Sequence, residues 1–116
     1  MSFYETVTGV PATWATAQFA EIRTSSGTLA VAGTPTLAAF GANIAEPGAN
    51  RSVIIEFLVA DVDAEYTRLR AELALDLVQA PTTMPWGNRS LLFRDLDGAL
   101  VNLFTPVTSE AVARFA

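Results

Sequence analysis

Hydrophobic and polar residues alternate most clearly between Ser52 and Ala60. Val53, Ile55, Phe57 and Val59 take one parity; Ile54, Glu56 and Leu58 take the other. A period of two predicts a strand with two distinct faces. At Asp61 the period changes. Val62, Tyr66, Leu69 and Leu73 recur at helical spacing behind a residue suited to cap a helix, and Arg68 and Glu72 pair on the outside. Further on, a short strand is expected near Leu75–Gln79, then a loop with Pro81, Pro85 and Trp86. Strands over Ser90–Arg94 and Ala99–Phe104 follow, and a last helix over Ser109–Phe115 is expected to pack Val112 and Phe115 onto the body. Upstream, Ser2–Thr8 reads as the end of a helix stopped by Gly9. Ala15–Thr24 reads as a strand with Phe19, Glu21 and Arg23 on one side and Ala20 and Ile22 on the other. Gly27–Gly33 is its partner, and Thr34–Phe40 a short helix.

The two halves repeat one another. Ile22-Arg23-Thr24-Ser25-Ser26-Gly27 leads into Thr28–Ala32 and Thr34-Pro35, and Phe93-Arg94-Asp95-Leu96-Asp97-Gly98 leads into Ala99–Leu103 and Thr105-Pro106, 71 residues later. Each copy reads strand, tight glycine turn, strand. Self-similarity on this scale indicates one supersecondary unit used twice. The second half is β-α-β-β-β. The first has the same order but begins inside its helix, so the first strand of module one is missing. The expected organisation is one domain over 1–116: module one 1–41, a Gly-, Ala- and Asn-rich linker 42–51, module two 52–107 and a C-terminal helix 108–116.

Composition narrows the chemistry. The chain has no cysteine, no histidine and no lysine, and its net charge is −5. Disulfides, thiol catalysis and zinc–thiolate sites are excluded, as are histidine general bases and any serine nucleophile activated by His or Lys. An acidic balance argues against nucleic acid, and no apolar run is long enough for a membrane helix. A soluble, cytoplasmic protein is expected.

Phe3-Tyr4-Glu5 through Gly9, Phe57-Leu58-Val59-Ala60-Asp61-Val62-Asp63-Ala64, and Asp95-Leu96-Asp97-Gly98 with Ala99–Leu103 together resemble the vicinal oxygen chelate superfamily of glyoxalases, bleomycin-resistance proteins and extradiol dioxygenases. The resemblance covers nearly the whole chain. It implies an α+β fold of two βαβββ modules whose curved mixed sheet cups a small ligand in a cleft, and it implies a homodimer. The family's metal ligands do not carry over. The position usually His falls on Ile54 and the position usually Glu falls on Asn102, whose counterpart by the repeat is Val31. Ile and Val cannot ligate a cation, and one amide oxygen binds weakly. No metal and no cofactor are therefore expected.

The candidate ligand-binding residues are Trp14, Phe19, Glu21, Leu29, Val31, Ile54, Glu56, Trp86, Leu92 and Asn102. Alternation sends Ile54, Glu56, Leu100 and Asn102, and by repeat Leu29 and Val31, to the concave side. Asn102 either meets a polar group of a ligand or bonds a neighbouring strand. Glu21 and Glu56 either work as acid and base, grip a cation, or pair with Arg23, Arg89 or Arg94. Trp14 and Trp86, at nearly equivalent repeat positions, either stack on a planar ligand or pack in the core or an interface. The resulting expectation is non-catalytic binding of a small, partly planar molecule, as in drug or metabolite sequestration. The alternatives are a lyase- or isomerase-type enzyme, metal-independent or with an atypical metal site, and a structural or regulatory dimer module.

Overall fold

The computed structural model describes residues 1–41, 45–49 and 51–116. Part of the expected linker, 42–44 and 50, lies outside the described residues. The chain divides into two compact units, 1–49 and 50–116. Among the described residues there are seven strands in two sheets and four helices, an α+β fold, and no helix is long and apolar enough to cross a membrane.

The first unit holds α1 (Ser2–Thr8), β1 (Thr13–Thr16), β2 (Phe19–Arg23), β3 (Thr28–Ala32) and the short α2 (Thr34–Leu37). Gly9 ends α1 in the left-handed conformation at φ 70°, and its N–H returns to the Glu5 carbonyl. The run expected as one strand over Ala15–Thr24 is two strands, because the chain reverses at Ala17-Gln18 and β1 folds back on β2. Phe3, Tyr4 and Val7 of α1, with Ala20 and Ile22 of β2, are the buried apolar residues among those described in this unit.

The second unit holds β4 (Ile54–Leu58), α3 (Val62–Glu72), β5 (Asp76–Thr83), β6 (Asn88–Arg94), β7 (Leu100–Pro106) and α4 (Ser109–Arg114). The sheet runs β4-β7-β6-β5, with β4 parallel to β7 and the other pairs antiparallel. Pro81 is tolerated inside β5 because that strand is an edge and needs no second set of N–H donors. Val62 and Leu69 of α3 and Leu91, Phe93, Val101 and Leu103 of the sheet are all fully buried, and they form the helix-side core. Each such side chain contributes roughly 1.5–3 kcal/mol by leaving water. Tyr66 and Leu73, on the same stripe, are half-buried, and the Arg70 guanidinium lies 4.7 Å above the Tyr66 ring.

Hydrogen bonds fix where α3 starts. Asp61 Oδ1 accepts from the Ala64 N–H at 3.2 Å. The Thr105 hydroxyl donates to the Val59 carbonyl and accepts from the Val62 N–H, both at 2.9 Å, which ties the strand-to-helix turn to β7. Arg89 of β6 grips Asp63 with Nε–Oδ2 at 2.9 Å and Nη2–Oδ1 at 3.1 Å. Arg68 bonds Glu65 more closely than the expected Glu72, at 2.6 Å against 3.4 Å.

At the C-terminus the carbonyl of Gly87, a residue at φ 92°, accepts from the Val107 and Thr108 N–H groups. A Cβ there would run into Thr108 Oγ1 and lie 3.0 Å from Ala111 Cβ, so α4 docks only because position 87 is glycine. Ala111 is the residue α4 buries. Val112, expected on the body, is exposed, and Phe115 rests on Phe104 with ring centroids 5.1 Å apart. A helix of six residues presents too narrow a face to bury both.

Two outcomes follow. Phe93→Ala should cost about 3–5 kcal/mol in a denaturant melt, as large-to-small core changes do, while Ile54→Arg should stay within about 0.5 kcal/mol of the parent. The reverse order would place the helix on the wrong face. Second, the hydrogen bonds from Arg89 hold the Asp63 carboxyl below its ordinary 3.8, with the guanidinium charge adding to them and desolvation opposing. A depressed carboxyl stabilises the fold above its unfolded value and loses that contribution as pH falls through the folded value. Asp63→Asn should therefore lower the melting temperature slightly at neutral pH, and the two melting curves should converge below pH 3.8.

Candidate functional site

Alternation gives the second sheet a face turned away from the α3 core, and the strand register arranges it in three rows. Ile54, Leu100, Arg94 and Asp76 form the first. Glu56, Asn102, Leu92 and Gln79 form the second. Leu58, Phe104, Ser90 and Thr82 form the third. Ile54 and Leu58 are 50% and 55% exposed, on either side of the exposed Glu56. β5 carries register shifts between Leu77 and Gln79 and between Gln79 and Thr82. Such bulges bend a strand and re-aim its side chains.

Asn102 is 9% exposed, and its Nδ2 donates to Glu56 Oε1 at 3.1 Å. A carboxylate can only accept, so it fixes which way the amide points. Oδ1 is left facing the other way, buried and without a hydrogen-bond partner in the protein. Ser90 Oγ, on a residue 3% exposed, and Asn88 Oδ1 share that condition. Buried polar atoms are nearly always satisfied, and an orphan costs about 1–3 kcal/mol. Three on alternate positions of two adjacent strands make this face the most unusual feature of the molecule.

Of the ten sequence-derived candidates, the register brings together four: Ile54, Glu56, Leu92 and Asn102. Glu56 pairs with the Asn102 amide rather than with an arginine. Arg94 donates to the Gly98 carbonyl at 3.1 Å, Arg89 holds Asp63, and Glu21 makes a loose exposed pair with Arg23 at 3.4 Å.

In the first unit the expected grouping does not hold. Glu21 pairs with Ala30 and Phe19 with Ala32, whereas Leu29 and Val31 pair with Ile22 and Ala20 on the opposite face. The cause is loop length. Four residues separate the paired Arg23 and Thr28, but five separate Arg94 and Leu100, so the 71-residue offset becomes 72 beyond the turn. The counterpart of Asn102 is Ala30, not Val31. Trp14 lies in β1 opposite Ala20 and, with Met1, Gln18 and Val31, lines a cavity of about 190 Å³ in this unit. Trp86 is exposed in the turn before β6, its carbonyl accepting from Arg114, so the two indoles are not equivalent. Ser90, Asn88 and Gln79 were not among the candidates. Their parity with Leu92 along β5 and β6 was the available signal.

The family model of the glyoxalase/bleomycin resistance protein/dioxygenase superfamily matches residues 1–103. The chain belongs to that superfamily. Its fold is similar to a glyoxalase/bleomycin resistance protein/dioxygenase from Nocardioides, at 22% identity and TM-score 0.72, covering 93% of this chain and 74% of that one. A family enzyme from Burkholderia phytofirmans PsJN shows 15% identity and TM-score 0.77, with 91% and 87% covered. The fosfomycin resistance protein FosX from Listeria monocytogenes, solved with Mn(II) and sulfate, shows 14% identity and TM-score 0.68, with 99% and 85% covered. No curated protein matches.

A metal centre of the glyoxalase superfamily does not fit the residues present. Ile54 and Ala30 have no lone pairs to offer, and Asn102 faces Glu56 with its N–H. Among the described residues no group of three or more Asp or Glu could hold an ion. Ser90→Ala, which removes an orphan hydroxyl, should leave the melting temperature unchanged or raise it. A loss of about 1 kcal/mol or more would reveal a structural bond.

Proposed function

We propose that this member of the glyoxalase superfamily binds a small, partly planar molecule and holds it without converting it, on the face of the second sheet opposite α3. The observation that carries the reading is the combination of exposed Ile54 and Leu58 with the buried, unpartnered Asn102 Oδ1 and Ser90 Oγ. A mostly apolar surface with a few oriented polar groups is how small-molecule sites are built. A structural role would have left those atoms satisfied. Sequestration fits better than catalysis because the chain lacks His, Cys and Lys and the one carboxylate of the central row is engaged by an amide. A homodimer is part of the proposal, supported by β3, which ends its sheet with no strand paired beyond it among the described residues, an edge that invites pairing.

A fragment screen followed by amide-resolved NMR tests this. Hits should shift resonances of 54–58, 90–92 and 100–104, and Ile54→Arg should abolish those shifts while the melt is retained. Hits that gather elsewhere, or a variant that binds as before, would overturn the assignment.

A further inference from the structure

The buried polar atoms of this face that lack a partner are all oxygens. Glu56 brings a carboxylate with one oxygen uncommitted to Asn102. Because that carboxylate takes the amide N–H, Asn102 turns its oxygen the other way, and Ser90 Oγ lies one row along, also unpartnered. An anion placed on the central row would meet the uncommitted oxygen of the Glu56 carboxylate, with the buried oxygens of Asn102 and Ser90 on the neighbouring strands. The face's one cation, Arg94, stands a row away beside Asp76 with its Nη1 committed to the Gly98 carbonyl. Ile54 and Leu58, two positions either side of Glu56 on one strand, stand about 13 Å apart. Between them the carboxylate sits at the centre of an apolar strip wide enough for a single ring system.

Resting on the reading of this face as the binding site, we propose that its ligand is a planar organic cation with N–H donors, of the amidine, guanidine or aromatic-amine class. Its charged end lies on Glu56 and Asn102 Oδ1 and its flat body on Ile54 and Leu58. Glu56 then has two roles: it contacts the cation directly, and it orients the Asn102 amide so that an oxygen, not an N–H, meets the ligand. Charge-assisted hydrogen bonds of this kind are about twice as strong as neutral ones, and the net charge of −5 favours approach of a cation.

Benzamidine and benzoate carry the same ring with opposite charge, so they separate the chemistry of the ligand from the existence of the site. Each is titrated into the isotope-labelled full chain and followed by amide resonances. Benzamidine should shift 54–58 and 100–104 with an affinity at least about tenfold above that of benzoate. Glu56→Gln, at an exposed position, should keep the parent's melt and remove the preference. Glu72→Gln on α3 makes the same change in net charge and should keep it. Benzoate binding at these resonances as tightly as benzamidine, or Glu72→Gln abolishing the preference as fully as Glu56→Gln, would overturn the proposal and leave the binding face standing. Shifts from neither probe at these resonances would overturn both.

Discussion

Leu91, Phe93, Val101 and Leu103 are drawn against Val62 and Leu69 of α3 because their burial removes apolar surface from water. Once those four face the helix, period-two geometry leaves no choice for their neighbours. Ser90, Leu92, Asn102 and Phe104 must face the other way, and the parallel pairing of β4 with β7 then sets Glu56 opposite Asn102. The candidate site is thus a by-product of core packing. Its polar atoms sit where the fold, not their own hydrogen bonding, has put them.

Much of this was readable beforehand in the second half. The alternation from Val53 to Val59 and the stripe Val62, Tyr66, Leu69, Leu73 are strong and uninterrupted, and each leads to one element and one face. The first half was harder because its strands are four and five residues long, too short for alternation to be self-correcting. The turn at Ala17-Gln18 lacks Gly, Pro, Asn or Asp and gave no punctuation. The missed Ser90 has a different explanation. A small hydroxyl in a strand usually reads as a filler, and only its burial without a partner makes it notable.

Membership of the glyoxalase superfamily, whose members bind small molecules, accounts for the architecture. The three solved structures described above share 14–22% identity with this chain, which conveys fold and not chemistry. In this chain Ile54 and Asn102 stand on the same face, with the Glu56 carboxylate opposite Asn102.

The hairpin turns in the two modules differ by a single residue, and that difference matters more than their sequence similarity suggests. In a sheet with one covered face, adding or removing a loop residue exchanges the inward and outward sets of the following strand. Drift by insertion in such a turn can therefore rewrite a whole row of contacts in one genetic event, leaving every side chain of the strand unaltered. Copies of a duplicated module can part company in this way long before their residues do. Aligning them without a gap at the turn compares positions that never shared an environment.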